Sequence, residues 1–159
     1  MINTTKKNGI RVQPIKNGTV IDHIQAGQAL NVLKILDIPG TSQGTVSILI
    51  NAPGKGVRKD VVKIEGRELD SKEVDKISLI APNATINIIR DFDVVQKQRV
   101  KIPKFIEEFV RCINPNCISN SREPIISKFY VTNNMPGNIY LRCKYCEKTI
   151  DENIADYLH

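Results

Sequence analysis

The sequence predicts an α+β fold in two parts: a ferredoxin-like antiparallel sheet with two helices, followed by a small zinc-ribbon-like β domain. Three observations lead there. Apolar runs of strand period alternate with two runs of helix period in the order β-α-β-β-α-β, with one further strand. All four cysteines fall between residues 112 and 146. Pro103 marks a change from long periodic segments to turns, short strands and cysteines, dividing the chain into 1–100 and 101–159.

Ile10 to Ile15 alternates as a strand, Asn17-Gly18 signals a turn, and Thr19 to Ile24 continues as extended chain. Gln28 to Ile38 carries Ala29, Leu30, Val32, Leu33, Ile35 and Leu36 at helical spacing, and Pro39-Gly40 ends it. Thr45 to Asn51 reads as a strand with Val46, Ile48 and Ile50 on one face. A turn over Ala52 to Val57 leads into Arg58 to Glu65, its expected hairpin partner. Asp70 to Glu73 has capping-box spacing, with Asp in place of Ser or Thr. The helix it opens is expected to bury Val74, Ile77 and Ile80 and to close at Pro82. Thr85 to Arg90 alternates, and Phe92 to Ile102 is extended. Lys104 to Arg111, with Phe105, Ile106, Phe109 and Val110, has the spacing of a short helix. Two helices on one face of the sheet leave the other face open to water or to a partner.

The 159 residues are 41% apolar, with no Trp and only 5% aromatics, so Ile, Val and Leu must fill the core. No stretch approaches the roughly 20 apolar residues of a membrane helix. Met1 to Gly9 is polar, unlike a signal peptide. The expectation is a soluble, cytoplasmic protein, in which the N-x-[ST] triplets at Asn3, Asn17 and Asn83 are chance matches. The net charge of +6 is uneven. Residues 1–100 hold 15 Lys and Arg against 10 Asp and Glu, whereas 101–159 hold 8 against 7. The basic excess therefore lies away from the cysteines, as suits an anionic partner of the first part.

The cysteines form Cys112-x4-Cys117, then 25 residues, then Cys143-x2-Cys146. Two close pairs on separate turns can place four thiolates at the corners of a tetrahedron, the geometry of structural Zn²⁺. Two disulfides would call for an oxidising compartment, and a redox Cys-x-x-Cys for a thioredoxin-like βαβ setting; the sequence signals neither. A four-sulfur shell leaves no open coordination position, so one structural zinc per chain is expected, without chemistry of its own. The module is small enough to need such a staple. Four thiolates and one Zn²⁺ would take its charge from +1 to about −1, which does not suit nucleic acid. Ile113, Ile118, Ile125 and Ile126 fit a protein contact better, although core packing is their ordinary use.

No nucleophile elbow, H-E-x-x-H or Walker A pattern is present, and the only histidines are His23 and His159. No catalytic residues are assigned. Asp22-His23 stands out on an extended segment: Asp can accept from ribose hydroxyls and His can donate to phosphate. An exposed polar pair at a strand end is the plainer reading of those two residues alone. Lys63 and Lys97 could converge on a triphosphate from separate strands.

Several runs resemble the regulatory chain of aspartate carbamoyltransferase. They are Gly18-Thr19-Val20-Ile21-Asp22-His23-Ile24, Arg58-Lys59-Asp60, Lys63-Ile64-Glu65, Ala81-Pro82-x-Ala84-Thr85-x-Asn87, Asn114-Pro115-Asn116-Cys117-Ile118-Ser119 and Cys143-Lys144-Tyr145-Cys146-Glu147. Their order and spacing span about Ile10 to Asn153. The resemblance implies a non-catalytic regulatory subunit with an allosteric domain at 1–100 and a zinc domain at 101–159 that grips the catalytic chain. It further implies regulatory homodimers, and a holoenzyme of two catalytic trimers and three regulatory dimers that controls the first committed step of pyrimidine biosynthesis. Its effectors would be CTP, ATP and UTP. Carried over by position, zinc would be held by Cys112, Cys117, Cys143 and Cys146. The nucleotide pocket would be lined by Val12, Gln13, Pro14, Ile15, Val20, Asp22, His23, Lys63, Asn87, Ile89, Phe92, Val94 and Lys97. Backbone near Ile15, Ile89 and Phe92 would read the base, Asp22 and Lys63 would hold ribose, and His23 and Lys97 the phosphates. Gln13 and Pro14 stand where familiar members carry Glu and Ala, and Phe92 where a Tyr is familiar; backbone reading of the base would survive these changes. A zinc-ribbon nucleic-acid or transcription accessory protein is the competing reading. The Asp22-His23 pair and the low charge of the zinc module weigh against it.

Overall fold

The structure is a computed structural model describing residues 14–40, 43–135 and 138–159. Five strands and two helices come first: β1 (Gly18–Gln25), α1 (Ala29–Ile35), β2 (Val46–Pro53), β3 (Arg58–Glu65), α2 (Ser71–Ile80), β4 (Thr85–Arg90) and β5 (Asp93–Arg99). The strands form one antiparallel sheet in the order β2-β3-β1-β4-β5. This is the expected split β-α-β arrangement with one strand added at an edge. Of the strand expected over Ile10–Ile15, residues 10–13 lie outside the described residues; Pro14 and Ile15 belong to no regular element.

Alternation decides which residues meet the helices. Ile21 and Ile24 from β1, Val62 and Ile64 from β3, and Ile86 and Ile88 from β4 form an apolar layer with Val32 of α1, Leu36 just after it and Ile77 of α2. Gly18 opens β1 at φ 148°, and a Cβ there would collide with the carbonyl of Ile64, so the turn into the sheet requires glycine. The capping box of α2 forms as expected: Asp70 Oδ1 accepts from Glu73 N at 2.9 Å, and Asp70 N donates to Glu73 Oε1 at 3.2 Å. Helix α1 is shorter than its apolar run. Leu30 is 63% exposed, because a seven-residue helix turns only part of that broad face inward. Strand β2 also departs from expectation. Its register shifts between Leu49 and Ala52, which breaks the single apolar face, and leaves Ile50 56% exposed.

The second part has β6 (Phe105–Glu107), β7 (Lys128–Met135), β8 (Asn138–Cys143) and β9 (Thr149–Ile150), antiparallel in that order. Lys104–Arg111 is therefore not the expected helix. Its centre pairs with β7, buries Ile106 and packs Phe105 on Tyr130 with ring centroids 5.4 Å apart. Glu108, at φ 81°, then ends the strand. Non-local pairing overrides the local apolar spacing, which in so short a run fits either period. Single-turn 3₁₀ helices cover Ile118–Asn120 and Ile154–Tyr157.

The two parts share residues. Leu79 of α2 joins the core of the second part, and Ala155 joins that of the first. The C-terminal segment bridges them: Leu158 pairs with Val110, His159 N donates to Phe109 O at 3.0 Å, and Lys76 Nζ donates to His159 O at 3.0 Å.

Candidate functional site

Two places hold the residues singled out from sequence. In the second part, Cys112 follows β6, Cys117 sits on the turn before the Ile118–Asn120 helix, Cys143 ends β8 and Cys146 lies on the β8–β9 turn. Their sulfurs all lie within 4.8 Å of one another. Cys112 and Cys146 are 3.5 Å apart and Cys117 and Cys143 3.6 Å apart, too far for disulfides. A tetrahedron with Zn–S near 2.3 Å has edges of about 3.8 Å, so the donor set fits a zinc ion. The turns are braced around it: Asn120 Nδ2 donates to the carbonyls of Cys112 at 3.0 Å and Asn114 at 2.7 Å, and Ser119 Oγ lies 3.2 Å from Cys117 Sγ.

The protonation chemistry points the same way. Burial pushes the Cys112 thiol well up and raises that of Cys143. Burial also raises Cys146, but the backbone N–H of Lys148 and then Cys112 outweigh it, drawing Cys146 down to about 7. Four sulfurs packed this closely cannot all ionise alone; a divalent cation makes that state favourable. Bound there, zinc would cross-link the two turns, with no position left for a substrate.

The other place is the helix-free face of the sheet. The register aligns Lys63 of β3, Val20 of β1, Asn87 of β4 and Lys97 of β5 in one row across four strands. Asn87 Nδ2 donates to Val20 O at 3.3 Å. One step along, Asp22 pairs with Thr85. Its carboxylate also meets Lys59 Nζ at 2.8 Å and accepts from His23 N at 2.6 Å. Burial raises the Asp22 pKa, yet Lys59 and the His23 N–H together hold it below its ordinary value. The Lys63 pKa is lowered by burial, with Asp22 opposing. His23 sits in a β1 bulge at φ 57°, with Nδ1 3.3 Å from Thr85 Oγ1. Beside this row opens a cleft of ≈ 790 Å³ whose cationic lining is Lys55, Arg58, Lys59, Lys97 and Arg99, with His23 among them.

Ile89 pairs with Gly18 and Val94, and the two-residue turn Asp91-Phe92 has positive φ at both positions. Phe92, half exposed, donates its N–H to Lys16 O at 2.9 Å, which brings the chain beside Ile15 against that turn. Pro14 is exposed, while Val12 and Gln13 lie outside the described residues. Among the sequence-selected residues, His23 and Lys97 line the cleft directly. Lys55 and Arg99 carry no signal in the sequence that would select them; Arg58 and Lys59 lie in a run that carries the resemblance, but it assigns them no place at the site. Only the alternation of Arg58-Lys59-Asp60 along β3 hints that Lys59 faces Asp22.

Two family models match the chain: "Aspartate carbamoyltransferase regulatory chain, allosteric domain" over residues 10–101, and the "metal binding domain" of the same chain over residues 104–156. The chain belongs to the aspartate carbamoyltransferase regulatory chain family. Relatives named as that regulatory chain include one from Methanococcoides burtonii, 67% identical over 149 residues and covering 94% of this chain and 93% of its own. Those from Methanosarcina barkeri and Methanocella arvoryzae are each 58% identical, covering 96% and 97% of this chain and 98% and 99% of their own. The protein is thus a non-catalytic regulatory chain of aspartate carbamoyltransferase, with an allosteric domain and a metal-binding domain, and it associates with the catalytic chain and with effectors. Its buried four-cysteine cluster is consistent with one structural zinc per chain. No helix among the described residues is long and apolar enough to cross a membrane.

Proposed function

We propose that the helix-free face of residues 1–100 is the effector site and that it binds CTP and ATP, with UTP reinforcing CTP. The observation that carries this reading is the row Lys63–Val20–Asn87–Lys97 beside the cationic cleft. A nucleoside triphosphate is strongly anionic at one end and neutral at the other, and this face is graded in the same way. Lys97 and His23 line the cleft and take the phosphates, with Lys59 and Arg99 beside them. Asp22 and Lys63 hold the ribose. Backbone around Ile15, Ile89 and Phe92 reads the base, beside the positive-φ turn whose Asp91 and Phe92 amides are held by Asn17 Oδ1 and Lys16 O.

Residues 101–159 grip the catalytic chain through apolar side chains that stay exposed in this chain alone, such as Ile113 and Ile118. Regulatory chains pair through the allosteric domain, and three such dimers bridge two catalytic trimers. Four thiols free of disulfides suit a reducing, cytoplasmic compartment. Calorimetric titration tests the pocket. Lys97→Ala should weaken CTP by roughly 10- to 150-fold, the worth of one charge-assisted hydrogen bond, with zinc content unchanged. Asp22→Ala should weaken CTP and ATP alike, because both carry ribose. Parent-like CTP binding by both variants would refute the pocket.

A further inference from the structure

Among the described residues, Asp60 is the one acidic side chain with no exposed surface. It is held by backbone amides: Oδ2 accepts from Gly27 N at 2.9 Å and Ala29 N at 3.0 Å, and Oδ1 accepts from Asn51 N at 2.8 Å. A buried carboxylate is tolerated when its lone pairs are taken up in this way. The three amides belong to elements on opposite sides of β3.

Both neighbours of β3 are bulged at this level. On β1, Ile21 pairs with Val62 and Ile24 with Asp60, so Asp22 and His23 together span the space opposite Val61. On β2, Leu49 pairs with Val61 and Ala52 with Lys59, so Ile50 and Asn51 lie opposite Asp60. Each bulge holds a residue in left-handed conformation, His23 at φ 57° and Asn51 at φ 59°. A bulge frees an amide from the ladder. Asp60 Oδ1 takes the one at Asn51, and Arg58 Nη1 donates to the carbonyl of the same residue at 3.0 Å. The other carboxylate oxygen completes the start of α1, where Gln28 gives no side-chain cap.

We propose that Asp60 is a positioning residue for the effector site: by holding the chain after one bulge and the amide within the other, its carboxylate sets where Asp22, His23 and Lys59 stand on the open face, and it ties that face to α1 and to the edge strand β2. Lys59 adjoins Asp60 in sequence and bonds Asp22 at 2.8 Å, so a change in one bulge is felt at the other through β3. The inference rests on the effector-site reading above.

The test is CTP titration of the full regulatory chain with Asp60→Asn, with Lys97→Ala as control. Asn keeps the shape but turns an NH₂ toward amides that themselves donate. CTP affinity should fall about tenfold with zinc content unchanged. A lower melting temperature with parent-like CTP affinity would make Asp60 a brace alone and overturn the proposal. If Lys97→Ala loses CTP while Asp60→Asn keeps it, only this inference falls; if Lys97→Ala binds like the parent, the effector site falls with it. Should Asp60→Asn fail to fold, amide exchange on the unsubstituted chain decides. CTP should slow exchange at Gly27, Ala29 and Asn51 severalfold, and unchanged rates there would sink the idea.

Discussion

The two halves of this chain solve the same problem, a small antiparallel sheet with one face to cover, in different ways. The first covers one face with α1 and α2 and fills the layer between with Ile, Val and Leu. Its other face carries Asp22, Lys63, Asn87 and Lys97, outside that apolar layer. In the second, the outer strands β6 and β9 are only three and two residues long, and among the described residues its helices are single 3₁₀ turns. Among the described residues, three of its ten buried core members are cysteines, and a further one, Leu79, comes from α2 of the first half. In one half a ligand would decorate a finished core; in the other a ligand is part of the core. Effector binding should therefore be separable from folding, and metal binding should not.

The largest effect expected from that contrast is metal removal. Structural zinc contributes on the order of 10–16 kcal/mol in small modules. Stripping it with a mercurial should unfold the second half and abolish association with the catalytic chain, while CTP still binds the first. Circular dichroism, assembly on a sizing column and CTP titration of the same sample would show this. Loss of CTP binding together with the metal would break the contrast.

Next in size is the shared residue. Leu79→Ala should cost about 2–5 kcal/mol, as large-to-small changes in a core do. Because Leu79 packs in the second core, zinc should leave faster while CTP affinity stays within about twofold of the parent. Chelator-driven zinc release and calorimetry together check it; unchanged zinc release would show that the halves are more independent than the packing implies.

The smallest effect is a pH dependence confined to the first half. The folded Asp22 carboxyl lies below its ordinary value of 3.8, because Lys59 and the His23 N–H outweigh burial. Its contribution is full above that ordinary value and fades as pH falls through the lower folded one. Asp22→Asn should therefore flatten the acid limb of stability for the sheet and leave the zinc half unaffected. Urea melts followed by sheet and zinc-domain probes from neutral to acid pH would resolve this. An acid limb unchanged by the substitution would remove the Lys59–Asp22 pair from the account.

Long periodic elements are legible in the sequence alone. The hairpin of β2 and β3, the capping box at Asp70 and Glu73 and the strand at Thr85–Arg90 all stand where the sequence places them. Lys104–Arg111 reads as a helix and folds as a strand because a few apolar residues fit two periods, and only pairing with Lys128–Tyr130 chooses between them. The cysteine constellation is legible because ligand spacing on turns is local. The basic cleft is legible only at Lys97: Lys55, Arg58, Lys59 and Arg99 reach it from separate strands and turns, and surface lysines and arginines look alike in sequence.

What the sequence determined by itself was therefore whatever short-range chemistry specifies: the alternation of strands and helices, the Asp70 cap, the turn at Asn17-Gly18, and two cysteine pairs spaced for one metal. What only the tertiary structure decided was register. Two bulges opposite Val61 and Asp60 place Asp22 beside Lys59, present His23 on the open face and give a buried carboxylate three amides to hold. The physical reason is that a bulge is a mismatch between two strands, so neither strand's own sequence contains it; it exists only once the strands have paired.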